Sequence, residues 1–229
     1  MLSKQFLVDR GYCCGHGCLM CPYIPKHIKG NAVMRNNILI VSALEVETQG
    51  QLEDWRVLHT GVGKVNAAIE LTKVLEKAHL DYLPPMPKLV INYGTAGSRK
   101  IKKKTLVDCT KFVQRDMDVT GLGFLRGETP FEHDPPVIIQ PQNIDFNPIG
   151  RNATCGTGDS FVEDKSQYYG EVVDMEAYAL AKVCYLYGVP FISFKYITDG
   201  ADEQSHEDWE ANLADGIVEF KEQVLKELI

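Results

Sequence analysis

The amino-acid sequence predicts a layered α/β domain that follows a small Cys-rich N-terminal segment. Short apolar runs alternate with helical patterns along most of the chain, and the first run, 38–43, is apolar enough for a strand buried on both faces. The composition also changes near Gly30 and Asn31, where a stretch rich in Cys, Gly, Pro and Lys ends. We therefore divide the chain into residues 1–30 and residues 31–229.

The elements of the domain follow in order from their patterns. The predicted strands are 38–43, 56–59, 89–92, 105–112, 137–140, 153–155 and 191–197. Helix 64–77 carries its apolar side chains on one face, whereas helix 175–187 is apolar nearly all round and is expected in the interior. Near the C-terminus, apolar residues at helical steps predict one further helix packed on the sheet: Trp209, Leu213, Ile217, Phe220, Val224 and Leu228. We interpret Trp209 there as a packing residue.

Composition and charge exclude several classes of protein. With 229 residues, 45% of them hydrophobic and 24% charged, the chain can bury a core. Its net charge of -7 argues against nucleic-acid or membrane binding through a general basic field. Residues 1–10 are interrupted by charge before a signal-peptide core can form, and the longest apolar strip, 38–44, is too short to span a bilayer. We expect a cytoplasmic protein.

The N-terminal segment concentrates cysteines. Four of the seven lie within nine positions: Cys13, Cys14, Cys18 and Cys21. Because glycines between them permit tight turns, these thiolates could converge on a tetrahedral zinc ion or an iron–sulfur cluster, with His16 as an alternate ligand. Reduced thiols in a loop are the alternative interpretation. The segment resembles a small Cys-rich bacterial domain of unknown function, which implies no activity, and the other three cysteines are typical of small buried side chains.

Three acidic residues stand at or just beyond the ends of apolar strands, where open α/β sheets bind ligands: Glu47, Glu176 and Asp199. Taken singly, each could also be a helix cap or a first-turn acid. Carboxyl groups near apolar strand ends tend to hold protons more tightly. Two of them facing each other across a gap can protonate a leaving group and activate water. That is the chemistry of glycosidic-bond hydrolysis.

Seven stretches in one order carry a family resemblance: 38–47, 60–68, 91–97 (Ile91-Asn-Tyr-Gly-Thr-Ala-Gly97), 116–120, 156–162, 173–177 and 189–202. On these stretches the chain resembles the nucleoside phosphorylase/hydrolase superfamily, and within it the methylthioadenosine/S-adenosylhomocysteine nucleosidases. The resemblance implies a three-layer α/β/α fold with a central mixed twisted sheet. It also implies hydrolysis of the N-glycosidic bond of a small-molecule purine nucleoside, no cofactor for catalysis, and a homodimer.

The resemblance further implies two catalytic residues, Glu47 and Asp199, and counts Thr95 among the substrate-binding residues. Glu47 would be the base that activates the attacking water, and Asp199 would protonate the purine at N7 as it leaves. Thr95 stands where the family usually carries a serine beside that water.

Five other positions would bind the substrate. Glu176 would hold the ribose hydroxyls while Met175 packs on the sugar. Phe161 would stack on the base, and the backbone of Val162 would read its edge. Lys195 replaces the arginine usual at its position.

Alternative functions remain open at the level of sequence. Glu45 and Glu47 in the loop after the first strand, with no arginine there, would repel phosphate, which favours hydrolysis over a phosphate-dependent phosphorylase. The segment 48–60 is shorter than its family counterpart and 120–152 is unlike it, so the 5'-substituent is left open. A catalytically weak nucleoside-binding or metal-sensing module is the third interpretation.

Overall fold

A computed structural model gives the structure over residues 37–81, 85–134 and 136–228, with residues 7, 10, 12–19, 21, 23, 27 and 29. The predicted boundary between residues 30 and 31 lies outside the described residues and stays a prediction. Within the described parts of the chain, no helix has both the length and the apolar character needed to cross a membrane.

The strands, which alternate with helices along the chain, form one mixed sheet. Its eight strands are β1 (Ile38–Ser42), β2 (Arg56–His59), β3 (Leu89–Gly97), β4 (Leu106–Gln114), β5 (Ile138–Ile139), β6 (Ala153–Thr157), β7 (Val172–Asp174) and β8 (Phe191–Asp199). The α-helices are α1 (Glu45–Thr48), α2 (Lys64–Asp81), α3 (Ala177–Tyr187), α4 (Ser205–Asn212) and α5 (Gly216–Gln223). Short 3-10 turns lie at Thr120–Leu122, Lys165–Gln167, Leu213–Asp215 and Leu225–Leu228.

Strand pairing closes part of the sheet into a ring. Strand β1 lies between β2 and β3 and is parallel to both, and β8 is parallel to β3 but antiparallel to β4. Strand β6 runs parallel to β4 and to β7, and a single antiparallel pair, Gly97 with Val173, joins β7 back to β3. The predicted mixed sheet is therefore confirmed, and five of its strands form a closed ring.

Helices cover both faces of the sheet, which gives the predicted three layers. On one face, α2 and α3 pack through Leu71 and Leu180 against a cluster that includes Leu39 of β1. On the other face, α5 packs through Phe220 against a cluster that includes Ile40. Neighbouring residues of β1 thus point into different clusters, which is why residues 38–41 of this strand are all apolar.

The structure corrects several predicted elements. The β3 and β8 strands extend beyond their apolar runs, to Gly97 and Asp199, so polar site residues lie within strands. Short elements β7 and α1 were not predicted. The single C-terminal helix is instead α4, a 3-10 turn and α5, and α5 begins at Gly216, where an added Cβ would stand 2.7 Å from Tyr93 Oη. The remaining three cysteines are buried, as predicted: Cys109, Cys155 and Cys184.

Candidate active site

The carboxyl ends of β1, β3, β7 and β8 surround a cavity of about 290 Å³. Seven of the eight predicted site residues line it: Glu47, Thr95, Phe161, Val162, Met175, Glu176 and Asp199. This is the place where α/β sheets commonly bind ligands, because loops from several strands converge there. The residues chosen as candidate base and candidate acid therefore share one cavity.

Glu47 is held by five hydrogen-bond donors. Its Oε2 accepts from the hydroxyl of Ser42 at 2.8 Å and from the backbone N–H groups of Ala43 and Leu44 at 3.2 and 3.1 Å. Its Oε1 accepts from the backbone N–H and the hydroxyl of Thr95 at 2.9 and 3.0 Å. In each of the five contacts one oxygen of Glu47 is the acceptor, so the surrounding donors fix the orientation of the carboxyl group.

Asp199 ends β8 and has the opposite character. Only 4% of the residue is exposed, and burial raises the pKa of its carboxyl above the ordinary value. Hydrogen bonds from the backbone N–H of Ala201 and the hydroxyl of Thr198, both at 2.9 Å, oppose that rise without cancelling it. A carboxyl group with a raised pKa retains its proton more readily, so Asp199 is suited to donate one.

Glu176 lies at the start of α3 and faces the turn before α2. Its Oε1 accepts the backbone N–H of Gly63 at 2.8 Å. Burial, reinforced by the neighbouring Asp174 carboxylate, raises the pKa of Glu176 to about 8. Gly63 has a φ of 95°, a conformation that favours glycine. The turn thus brings an N–H donor to a buried carboxyl group whose pKa lies near neutral pH.

Lys195 does not line the cavity, so the substrate contact that the resemblance implies is not seen here and stays a prediction. Its Nζ lies 2.7 Å from Asp174 Oδ2, and each side chain is only 1% exposed. Burial alone would lower the pKa of Lys195, but the Asp174 carboxylate outweighs burial and raises it. Asp174 also accepts the hydroxyl of Thr157 at 2.5 Å and the backbone N–H of Ala177 at 2.8 Å. The lysine is therefore committed to a buried ion pair beneath the site.

The loop after β6 supplies an apolar wall. The ring of Phe161 is 40% exposed and lines the cavity, whereas Val162 is buried. Met175, which follows β7, is half-buried and lines the same cavity. A flat heterocycle placed here would meet one aromatic ring and two apolar side chains.

Trp209 belongs to the site, which corrects its interpretation as a packing residue. Its ring lines the cavity, and its Nε1–H donates to Thr95 Oγ1 at 2.9 Å. The helical apolar pattern could not show this, because the partner lies 114 positions away along the chain.

Arg115 was also missed by the sequence analysis. This buried residue lines the cavity, and its guanidinium donates to Ser160 Oγ and to the carbonyl of Gly158, both at 3.2 Å. Its Nε has no acceptor among the described residues. A signal did exist in the sequence, because Arg115 directly follows β4 and the strand-end rule applied to acids applies equally to arginine.

The N-terminal cysteines form two pairs. The Sγ atoms of Cys13 and Cys21 are 3.6 Å apart, as are those of Cys14 and Cys18. Among the described residues, no group of three or more His, Cys, Asp or Glu side chains is placed to hold a metal ion. The structure thus gives a pairwise arrangement of thiols and does not support the predicted four-ligand site.

Taken together, the layered fold and the two unlike carboxyl groups in one cavity define an α/β enzyme equipped for acid–base cleavage. The chain belongs to the phosphorylase superfamily, whose family model matches residues 47–229. The matched region begins after the Cys-rich segment.

Named relatives agree with this assignment. The chain is 34% identical over 168 residues to a 5'-methylthioadenosine/S-adenosylhomocysteine nucleosidase of an Exiguobacterium strain, covering 66% of this chain and 69% of the relative. It is also 34% identical over 186 residues to the nucleosidase of Haemophilus influenzae, covering 73% and 78%. The family resemblance predicted from sequence is confirmed.

Solved structures show the same fold. A nucleosidase of this name from Colwellia psychrerythraea, in complex with adenine, matches with a TM-score of 0.67 at 20% identity, covering 83% of this chain and 93% of that one. A futalosine hydrolase mutant of Helicobacter pylori matches with a TM-score of 0.66 at 21% identity, covering 83% and 99%.

Proposed function

We propose that this protein hydrolyses the N-glycosidic bond of a purine nucleoside of the methylthioadenosine/S-adenosylhomocysteine type, releasing adenine and the ribose product. One observation carries the proposal: Glu47, whose oxygens accept five hydrogen bonds, and Asp199, whose pKa burial raises, line the same cavity. The names of the relatives support the same reaction.

The chemistry follows from these two groups. As the bond between C1' and N9 breaks, its electron pair goes to the purine, and the sugar becomes an oxocarbenium ion. Asp199 gives its proton to N7 of the purine, which makes the base a better leaving group. Glu47 takes a proton from the water that attacks C1', and its charge stabilises the cationic sugar.

Glu176 fits the role of ribose holder. Ribose hydroxyls can donate hydrogen bonds to a carboxylate, and such bonds favour its ionised form. Because the pKa of Glu176 is raised to about 8, nucleoside binding at neutral pH would displace a proton from it. Met175 and Phe161 would cover the sugar and the base.

The geometry favours water over phosphate as the nucleophile. Any group beside Glu47 faces a carboxylate, and the nearby ammonium of Lys195 is neutralised by Asp174. Of the described residues that line the cavity, only Arg115 and His206 are basic. The guanidinium of Arg115 donates to Ser160 and Gly158 in the loop that carries Phe161, so these donors are already engaged.

The test is release of free base from methylthioadenosine, S-adenosylhomocysteine, adenosine, inosine and futalosine, each with and without phosphate. We expect phosphate-independent release, fastest for an adenine nucleoside. Release only in the presence of phosphate would establish the alternative, a phosphorylase. Tight adenine binding without turnover of any substrate would favour the catalytically weak binding module.

We further propose that the protein is a homodimer. Exposed apolar side chains support this: on α2, Val65 and Ile69 are 66% and 46% exposed, and in the loop after β4, Leu122 and Leu125 are 75% and 69% exposed. Where such side chains form a contiguous patch, the patch is typical of a surface that another chain covers. Light scattering of the purified protein would give twice the monomer mass if this is correct, and the monomer mass if it is not.

A metal held by the N-terminal cysteines stays a prediction, which the two separate thiol pairs do not by themselves support. Metal analysis of the purified protein tests this prediction. The expected result is one zinc or iron–sulfur centre per chain, which is lost when Cys13 and Cys18 are replaced by serine.

All seven cysteines, each among the described residues, are free thiols, which fits the cytoplasmic location that we propose.

A further inference from the structure

We propose that Trp209 is a positioning residue for Glu47 and that it acts through the hydroxyl of Thr95. Trp209 Nε1 lies 2.9 Å from Thr95 Oγ1, and Thr95 Oγ1 lies 3.0 Å from Glu47 Oε1. The three side chains thus form a chain of two hydrogen bonds that ends on the candidate base. This inference rests on the proposed hydrolysis.

The chemistry of the three groups fixes the direction of the chain. An indole Nε1–H can only donate, so Thr95 Oγ1 must accept from Trp209. A threonine hydroxyl has one hydrogen, and a carboxylate can only accept. The hydroxyl hydrogen of Thr95 therefore points to Glu47. Because Trp209 donates to a lone pair of Thr95 Oγ1, the hydroxyl group is held in this orientation.

Contacts of two residues near Trp209 fix the position of helix α4. Asn212 Nδ2 donates to the carbonyl of Thr198 at 2.8 Å, one residue before the candidate acid. Asp208, next to Trp209, forms an ion pair with Lys103. The helix begins six residues after Asp199. This short element therefore contacts the strand that carries Asp199, and through Trp209 and Thr95 it is connected to Glu47.

Loss of the indole N–H would free the hydroxyl of Thr95 to rotate without removing any group from Glu47. We expect Trp209→Phe, which keeps an aromatic wall, to lower kcat by about tenfold while KM changes by less than about threefold. A residue that only packs against substrate would instead change KM when its ring is altered.

A double-mutant cycle tests the connection. If Trp209 acts through Thr95, then Trp209→Phe lowers kcat in the wild-type background but by less than about twofold in a Thr95→Val background. Equal losses in both backgrounds, or an unchanged kcat in Trp209→Phe alone, would overturn the inference. Trp55→Phe is the matched control, because it removes the other tryptophan, which packs against the apolar cluster under α5.

A second measurement does not depend on turnover. In a ¹⁵N-labelled protein the two indole N–H signals are assigned by their loss in Trp55→Phe and Trp209→Phe. Thr95→Val should shift the Trp209 signal and leave the Trp55 signal in place; an unmoved Trp209 signal would refute the hydrogen bond. If the signal shifts but the wild-type protein releases no base from any nucleoside, the proposed hydrolysis fails rather than the contact, and the positioning role falls with it.

Discussion

Lys195 is where sequence and structure make opposite predictions, and one substitution separates them. Replacing it by methionine keeps most of its length and removes its charge. Asp174 would then be left as a buried carboxylate without its cation, at a site where both side chains are 1% exposed. Breaking one partner of such a pair costs about 3–5 kcal/mol of folding free energy, because the remaining charge is desolvated and unpaired.

The effect is large enough to measure directly. With a urea dependence of about 2–3 kcal/mol per molar, that loss lowers the midpoint of unfolding by about 1–2.5 M. Circular dichroism during a urea titration of Lys195→Met gives the shift. Adding Asp174→Asn removes the unpaired charge and should recover a substantial part of the stability.

Lys182→Met is a matched control. Its Nζ lies 2.7 Å from Glu132, but the two side chains are 27% and 28% exposed, so we expect a loss of less than about 1 kcal/mol. The reasoning is refuted if Lys195→Met unfolds at the wild-type midpoint while KM rises. That outcome would restore the substrate contact expected from the family resemblance.

Two further predictions concern the cavity. Because ribose hydroxyls need the ionised form of Glu176, whose pKa is raised to about 8, affinity for an uncleaved nucleoside analogue should weaken as pH falls below 8, by up to about tenfold per unit; calorimetry at pH 6, 7 and 8 would show this, and a flat profile would contradict it. Gly94→Ala places a Cβ about 3.2 Å from Glu47 Oε1 and 3.4 Å from Lys195 Nζ, so kcat should fall by about tenfold. Gly188→Ala, at a helix end with open space around it, should cost stability without lowering kcat.

The sequence predicted the elements whose pattern is local. Strand β1 was visible because both of its faces are buried, and Glu47 and Asp199 were visible because they follow or end such strands. Strand β7 has only three residues, too few to show a period, and its single pair with β3 joins segments far apart in the chain. The closure of the ring therefore could not be predicted from the sequence.

The site was predicted where chemistry follows position and missed where it depends on a distant partner. The C-terminal apolar stripe continues through the break between α4 and α5, so it suggested one helix and gave Trp209 a packing role. The family resemblance placed Lys195 in the site, but in the structure its ammonium group forms an ion pair with Asp174. Both outcomes depend on contacts between separate elements of the fold, which periodicity does not encode.

The most direct test of the account is adenine release from methylthioadenosine in phosphate-free buffer by the wild-type protein, Glu47→Gln and Asp199→Asn. The account predicts turnover by the wild type and a loss of about two to four orders of magnitude in each variant, with unchanged circular dichroism spectra. Wild-type rates in both variants would contradict it.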